Sequence, residues 1–248
     1  MRLLGLRLLA LAALAALWLA ASRLVGDGLV PGPPATARAL YVLAASGRLW
    51  PALADTLAVY LAGFALAAAL GVPLGLALGG FRTLGRALDP YVNALAATPR
   101  VAFIPLIVVL LGLGAKAKIA IVALGAVVPV LLNTAAGVLA ADPDLVEMAR
   151  SAGATRLQLF RHILLPGAVC YVLAGLRLGA ALGLISTVVA ELYTAVHGLG
   201  GLLAEYGNTF QMAPYFAVLL VLTGLGVSVT QGLRALETRL GRWRSAAR

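Results

Sequence analysis

Residues 141–166 read ADPDLVEMARSAGATRLQLFRHILLP, a charged stretch set between two long apolar runs. Asp142 has the short acceptor side chain of an N-cap, and Pro143 suits the first helical position, where a missing N–H costs nothing. Asp144 and Glu147 place negative charge near the positive end of that helix. Leu145, Met148, Ala149 and Ala152 recur at i, i+3, i+4 and i+7, which makes one apolar stripe. Gly153 ends the helix as a left-handed cap. Thr155 and Gln158 then form a capping-box pair that starts a second short helix. Its apolar positions are Leu157, Phe160 and Leu164, and Pro166 opens the next apolar run. The expected unit is helix, glycine break, helix. A small apolar stripe rimmed with charge fits two settings: lying on lipid headgroups with Arg150, Arg156 and Arg161 at the phosphates, or docking into a groove on a partner protein.

Working outward, the surroundings of this loop are membrane-like. The chain has 248 residues, 62% of them apolar and only 11% charged, and its mean hydropathy is +1.01. A soluble domain is near half apolar and a quarter charged, so both a water-solvated domain and a disordered chain are excluded. Six apolar runs are candidates for crossing, at 8–22, 57–80, 101–114, 119–141, 167–190 and 212–233. The run at 101–114 is short and contains Pro105, so it reads as an irregular span packed on protein or as a re-entrant segment. The first run follows Arg2 and Arg7 and resembles a signal peptide in part. It is kept here as a retained span over about residues 7–25.

Charge orders the loops. With six spans, one side holds thirteen arginines, including Arg82, Arg86, Arg100, Arg150, Arg156 and Arg161 and the basic C-terminal tail. The other side holds Arg23, Arg38, Arg48, Lys116 and Lys118. This asymmetry predicts an even number of crossings with both termini cytoplasmic. Residues 26–52 read as an external Gly/Pro-broken segment, 81–100 and 141–166 as cytoplasmic loops, and 191–211 as an external loop without Lys or Arg. The net charge of +10 fits topology and anionic lipid, and no nucleic-acid partner is expected. The single Cys170 and the distant His162 and His197 make no metal-ligand pattern, so neither a metal nor a cofactor is expected.

The spacing Glu147-x-Ala149-x3-Gly153-x9-Ile163-x-Leu165-Pro166 resembles the cytoplasmic loop of ABC importer permeases. Met148 stands where that family usually has its first alanine after the glutamate. The resemblance runs from about residue 50 to 240 and is to the nitrate/sulfonate/taurine-type branch. It is carried by Gly63-Phe64, Gly71-Val72-Pro73-Leu74-Gly75, Thr98-Pro99-Arg100-Val101-Ala102-Phe103-Ile104-Pro105-Leu106, Gly175-Leu176-Arg177 and Glu191 followed by Gly198-Leu199-Gly200. At Gly112-Leu113-Gly114 the branch's preceding aromatics are replaced by Leu110-Leu111.

With no soluble domain or linker in the sequence, residues 1–248 read as one transmembrane domain. The resemblance implies an all-α, polytopic membrane protein with a type I importer permease-like fold and a five-span core over 53–240. It further implies a bacterial inner-membrane importer subunit, not an enzyme, working with two copies of a separate ATPase, a second permease copy (a homodimer), an external solute-binding protein and the lipid bilayer. The solute class implied is a small anion or small organic solute: a sulfonate, taurine, nitrate or thiamine-precursor-like compound. In that frame Glu147, Ala149, Gly153, Ile163, Leu165 and Pro166 couple to the ATPase, and Arg150, Arg156 and Arg161 form the surface of the coupling helix. No G-x-x-x-x-G-K-[ST] loop occurs, so this chain does not hold ATP by that device.

Other residues carry open readings. Arg177 is either a pathway or gate charge or a side chain snorkelling to headgroups. Glu191 reads first as a solvated helix end, with an anchor of the external loop or a contact with the delivery protein as the other options. Pro105 is a candidate for the path through its bend. Gly71, Gly75 and Gly79, spaced by four, suit close helix packing. A stand-alone secondary transporter or channel is the rival function. It wants buried ion-binding groups, and the runs hold little beyond Asn133, Thr134, Ser186 and Thr187.

Overall fold

The computed structural model describes residues 2–194 and 197–240, with side chains from Gly5 to Thr238. The basic tail at Arg242, Arg244 and Arg248 lies outside the described residues. Every regular element among the described residues is helical. The helices are α1 (Arg2–Val25), α2 (Pro33–Ala45), α3 (Leu49–Gly80), α4 (Arg82–Ala97), α5 (Ile104–Leu111), α6 (Ala115–Leu139), α7 (Pro143–Ser151), α8 (Arg156–Leu159), α9 (Leu165–Thr194), α10 (Leu199–Asn208) and α11 (Met212–Leu240). Five stretches are long and apolar enough to cross a bilayer, on α1, α3, α6, α8–α9 and α11. The pair α4 and Arg100–Leu111, bent by 83°, makes a sixth if counted as one span. The fold is that of an all-α, polytopic membrane protein.

Two compact units are formed, one from residues 1–57 and 191–225 and one from 58–190 and 226–248. In the second unit α6 is the most enclosed of the long helices, with 61% of its apolar window buried. Glycine explains how neighbours approach it. A Cβ on Gly63 would lie 2.5 Å from Val122, one on Gly71 2.9 Å from Val130, one on Gly75 2.6 Å from Leu131 O and Thr134, and one on Gly79 2.6 Å from Val138. Such approaches leave no room for a side chain, so α3 lays a glycine seam directly on α6. On the adjoining face α9 repeats the device with Gly175 against Asn133 and Gly179 against Val130. On α6 itself, Gly125 accommodates Ser186 and Gly137 accommodates Tyr171. Lipid tails are as apolar as leucine, so packing at close range drives this association where the hydrophobic effect does not.

The first unit is organised by a buried carboxyl group. Glu191, near the end of α9, is fully buried. The Thr56 hydroxyl lies 2.9 and 3.0 Å from its two oxygens as donor, and the same hydroxyl accepts the Leu199 N–H at 2.8 Å. The Gly200 N–H donates to Glu191 Oε2 at 2.8 Å. Two free donors in the first turn of α10 are thus met by side chains from elsewhere, where Gly198 at the N-cap supplies none. Gly198 has φ +97° and sits against the carboxyl so tightly that a Cβ would overlap it. The solvated helix end expected for Glu191 is therefore corrected: backbone donors at the start of α10 draw the carboxyl inward.

Other expectations change in physical detail. Residues 26–52 hold the helix α2, because Pro33 and Pro34 fall in its first turn, where a missing N–H is harmless. The 81–100 stretch is mostly the helix α4, and 191–211 contains α10. The second helix of the 141–166 loop is not a separate piece: α8 continues through a π-helical turn at Phe160–Leu164 into α9, giving one run, Arg156–Thr194, of 39 residues. Pro166 lacks the donor that would bond residue 162 and its ring crowds that carbonyl. A wider turn just before it accommodates both and keeps the helix going.

Two outcomes follow for stability in detergent or nanodiscs. Gly75→Leu lowers thermal stability by about 1–3 kcal/mol, the cost of overpacking, whereas Gly5→Leu, which meets nothing within 4 Å, leaves the melting curve in place. Thr56→Val, isosteric but unable to bond Glu191 or Leu199, costs about 1–3 kcal/mol for the buried groups left unmet, read as earlier loss of helical circular dichroism on heating.

Candidate functional site

The 141–166 loop is built as a locked pair of helical turns. Asp142 Oδ1 accepts the Asp144 N–H at 3.0 Å, with Pro143 in the first turn of α7. At the other end Gly153 N–H donates to Arg150 O at 2.9 Å and Ala154 N–H to Ala149 O at 3.0 Å, with Gly153 at φ +82°. That pair of bonds is a Schellman motif, and a side chain at position 153 strains it. The capping box is complete: Gln158 N–H donates to Thr155 Oγ1 at 3.3 Å and Thr155 N–H to Gln158 Oε1 at 2.8 Å. Phe160 turns inward at the end of α3, where a Cβ on Gly80 would lie 3.1 Å from its ring.

What this scaffold presents outward is apolar. Leu145 is 47%, Met148 63% and Leu157 73% exposed, close to Glu147, Arg150, Arg156 and Arg161, all exposed. Ala149 and Ile163 are half-buried, Leu165 is exposed and Pro166 half-buried. The coupling candidates therefore gather on one short segment whose apolar stripe is left uncovered by the described residues.

The pathway candidates do not gather with them. Arg177, read as gate or snorkel, pairs with Glu237 of α11 at 2.8 Å, both partly exposed. The interaction is a tie between α9 and α11 that sequence position alone did not reveal, since Glu237 was not among the candidates. Glu191 belongs to the buried cluster described above. Pro105 is exposed in the first turn of α5, two residues beyond the 3₁₀ turn Arg100–Phe103.

Arg100 is the residue whose placement departs furthest from its reading as a loop charge. Its Nη1 donates to Gly125 O at 3.0 Å. Pro129 lies inside α6 and has no N–H to bond the carbonyl four residues back, so Gly125 O is the acceptor that the proline releases. A proline within an apolar run was the available signal, and it was passed over because nothing in sequence ties it to an arginine 29 positions earlier.

In the other unit, a groove of about 730 Å³ is lined by residues including Arg38, Arg48, Tyr206 and Gln211. Arg48 pairs with Glu205 at 2.8 Å on the surface, a bond that raises its pKa, and burial raises that of Tyr206. An exposed pair of this kind contributes little to stability.

Comparison with known proteins agrees with this architecture. Residues 71–242 match the family model of the binding-protein-dependent transport system inner membrane component. The taurine transport system permease protein TauC of Escherichia coli (strain K12) is 31% identical over 240 residues, covering 94% of this chain and 87% of that protein. A permease protein of the same organism named for aliphatic sulfonates transport, SsuC, is 34% identical, with 93% and 89% covered. The riboflavin transport system permease protein RibX of Chloroflexus aurantiacus is 35% identical, with 88% and 81% covered. Among solved structures, an inward-facing form of the MetNI methionine ABC transporter superposes with TM-score 0.67 at 21% identity, over 77% of this chain and 95% of that one. An amino acid ABC transporter gives 0.65 at 20%, over 81% and 97%. The chain belongs to the family of binding-protein-dependent transport system inner membrane components and is a multi-pass permease subunit of an ABC importer.

Proposed function

We propose that this permease carries a small organic anion of the sulfonate class and takes its energy from a separate ATPase through residues 141–166. The observation that carries the coupling half is the stripe of Leu145, Met148 and Leu157, held outward on a segment made rigid by an N-cap, a Schellman motif and a capping box. An apolar stripe with a charged rim suits a groove on a soluble protein. The choice of solute is supported by the relatives named for taurine and aliphatic sulfonates; a further relative is named for riboflavin.

In this reading Glu147, Arg150, Arg156 and Arg161 set the charge pattern of the docking face, and Ala149 and Gly153 give it its shape. Ile163, Leu165 and Pro166 join it to α9. Residues 1–248 act as one membrane domain, two identical copies face each other over two ATPase subunits, and a solute-binding protein delivers from outside. Both termini lie in the bacterial cytoplasm, a placement that the arginine asymmetry supports. ATP binding draws the two loops together and α9 tilts the path outward; hydrolysis resets it. Arg177 with Glu237, Glu191 and Pro105 are the tentative gate and path residues, the first through an ion pair whose opening frees α9 from α11.

The experiment is transport by the reconstituted permease–ATPase complex with its binding protein. Gly153→Asp abolishes ATP-driven uptake and lowers recovery of the ATPase on a tagged permease, while the variant inserts and folds as the parent does. Leu145→Asp with Met148→Asp gives the same result by removing the stripe. Unchanged uptake in both variants overturns the coupling assignment and favours a carrier that works without ATP.

A further inference from the structure

Arg100 has a second role open to it beyond closing the gap at Pro129. Gly125 lies ten residues into the 25-residue apolar helix α6, so the carbonyl that holds Arg100 is about 15 Å from one end and about 21 Å from the other at about 1.5 Å per residue. A cation is therefore held near mid-depth of a membrane helix. Among the described residues Arg100 makes no ion pair with a carboxyl group. Its single hydrogen bond uses one of the five donors of a guanidinium. The residue is only half-buried, on the 3₁₀ turn at the 83° break between α4 and α5. Closing a proline gap calls for one neutral donor. An arginine supplies more charge and more donors than that task uses, at a depth where charge is costly.

We propose that Arg100 is the anion-contacting, specificity-determining residue of the permeation path. The guanidinium is oriented by Gly125 O and offers its remaining N–H groups to the sulfonate or carboxylate oxygens of the passing solute. A planar fork with several donors matches such groups in a bidentate way. A broken helical segment is also where irregular backbone at membrane depth is tolerated, because it lines a cavity or packs on protein. The proposal rests on the reading of this chain as a permease for an organic anion and adds the residue that selects the charge.

The test separates an anion contact from a purely structural cap. Arg100→Gln keeps a donor for Gly125 O and loses the charge; Arg100→Ala with Pro129→Ala restores the missing helix bond and removes the side chain. Uptake of taurine and of ethanesulfonate is measured in proteoliposomes containing the whole complex with ATP, after checking that each variant assembles. The expected result is a fall of about tenfold or more in both variants, the scale of a lost hydrogen bond to a charged group, with Arg100→Lys intermediate. Parental uptake in the double variant, or in Arg100→Gln, makes Arg100 a cap only and overturns the proposal while leaving the transport function intact. Import of neutral solutes alone by the parent overturns the anion reading of the transport function.

A second readout needs no transport. Phenylglyoxal labelling of Arg100 in the assembled complex, followed by mass spectrometry, is slowed by ethanesulfonate and not by neutral methanesulfonamide. Equal rates with both overturn the contact. Protection by ethanesulfonate in a complex that imports no sulfonate upholds the Arg100 contact and faults only the transported solute class.

Discussion

The close approach of helices to α6, allowed only by glycine, is the constraint on which the second unit of this permease depends. Where Gly63, Gly71, Gly75 and Gly79 face α6, the gap left for a side chain is below 3 Å. Backbones brought this near gain dispersion contacts along their whole length, each small and collectively large. The same closeness fixes rotation and register, since turning α3 by one residue puts leucines where the glycines must be. With α9 using glycines against the adjoining face of α6, where Val130 meets both Gly71 and Gly179, three helices close on one seam. A helix so enclosed has little room for water, so every polar irregularity along it must be met by protein.

That requirement accounts for the two least expected residues. Pro129 opens one backbone acceptor within α6, and a cation, Arg100, answers it. The start of α10 opens backbone donors, and a carboxyl, Glu191, answers one of them directly and another through Thr56. The charge of each side chain is opposite in sign to the partial charge of the backbone group left open. In water such gaps are filled by solvent at almost no cost; away from water each unfilled group costs several kcal/mol. Backbone groups supply part of the complement that holds these charged side chains in place.

The spans and the loop were legible in the sequence because they follow from local rules. Long apolar runs, the Asp142–Pro143 start, the Gly153 stop and the Thr155–Gln158 box each depend on residues within one or two turns of one another. The structure forms them in the places read. Glu191 and Arg100 were misjudged because their partners lie far away in the chain: Thr56 is 135 positions from Glu191 and Gly125 is 25 from Arg100. The partner of Arg177, Glu237 on a different helix, went unseen for the same reason. Hydropathy marks such residues as exceptions in an apolar run without saying which backbone group or ion meets them. The continuity of α8 with α9 was missed for a related reason. Pro166 reads locally as a helix start, and the π-helical turn that absorbs it has no sequence signature of its own.

This continuity bears on how a soluble motor can move a membrane helix. A loop ending in a flexible joint would dissipate displacement at the joint, whereas the run Arg156–Thr194 is a single helical rod of 39 residues, about 58 Å at about 1.5 Å per residue. On the α7 side the chain turns at Gly153, where two Schellman bonds hold the left-handed residue. Left-handed glycine is often read as a hinge, yet with both bonds made it is a fixed corner, stiff because few other conformations keep them. The proposed coupling therefore works through shape: the ATPase pushes on α7, the corner at Gly153 carries the push into α8, and the rod delivers it to α9. On this view the glycine is needed for the angle it permits, and the stripe of Leu145 and Met148 is exposed because the corner turns it away from its own chain.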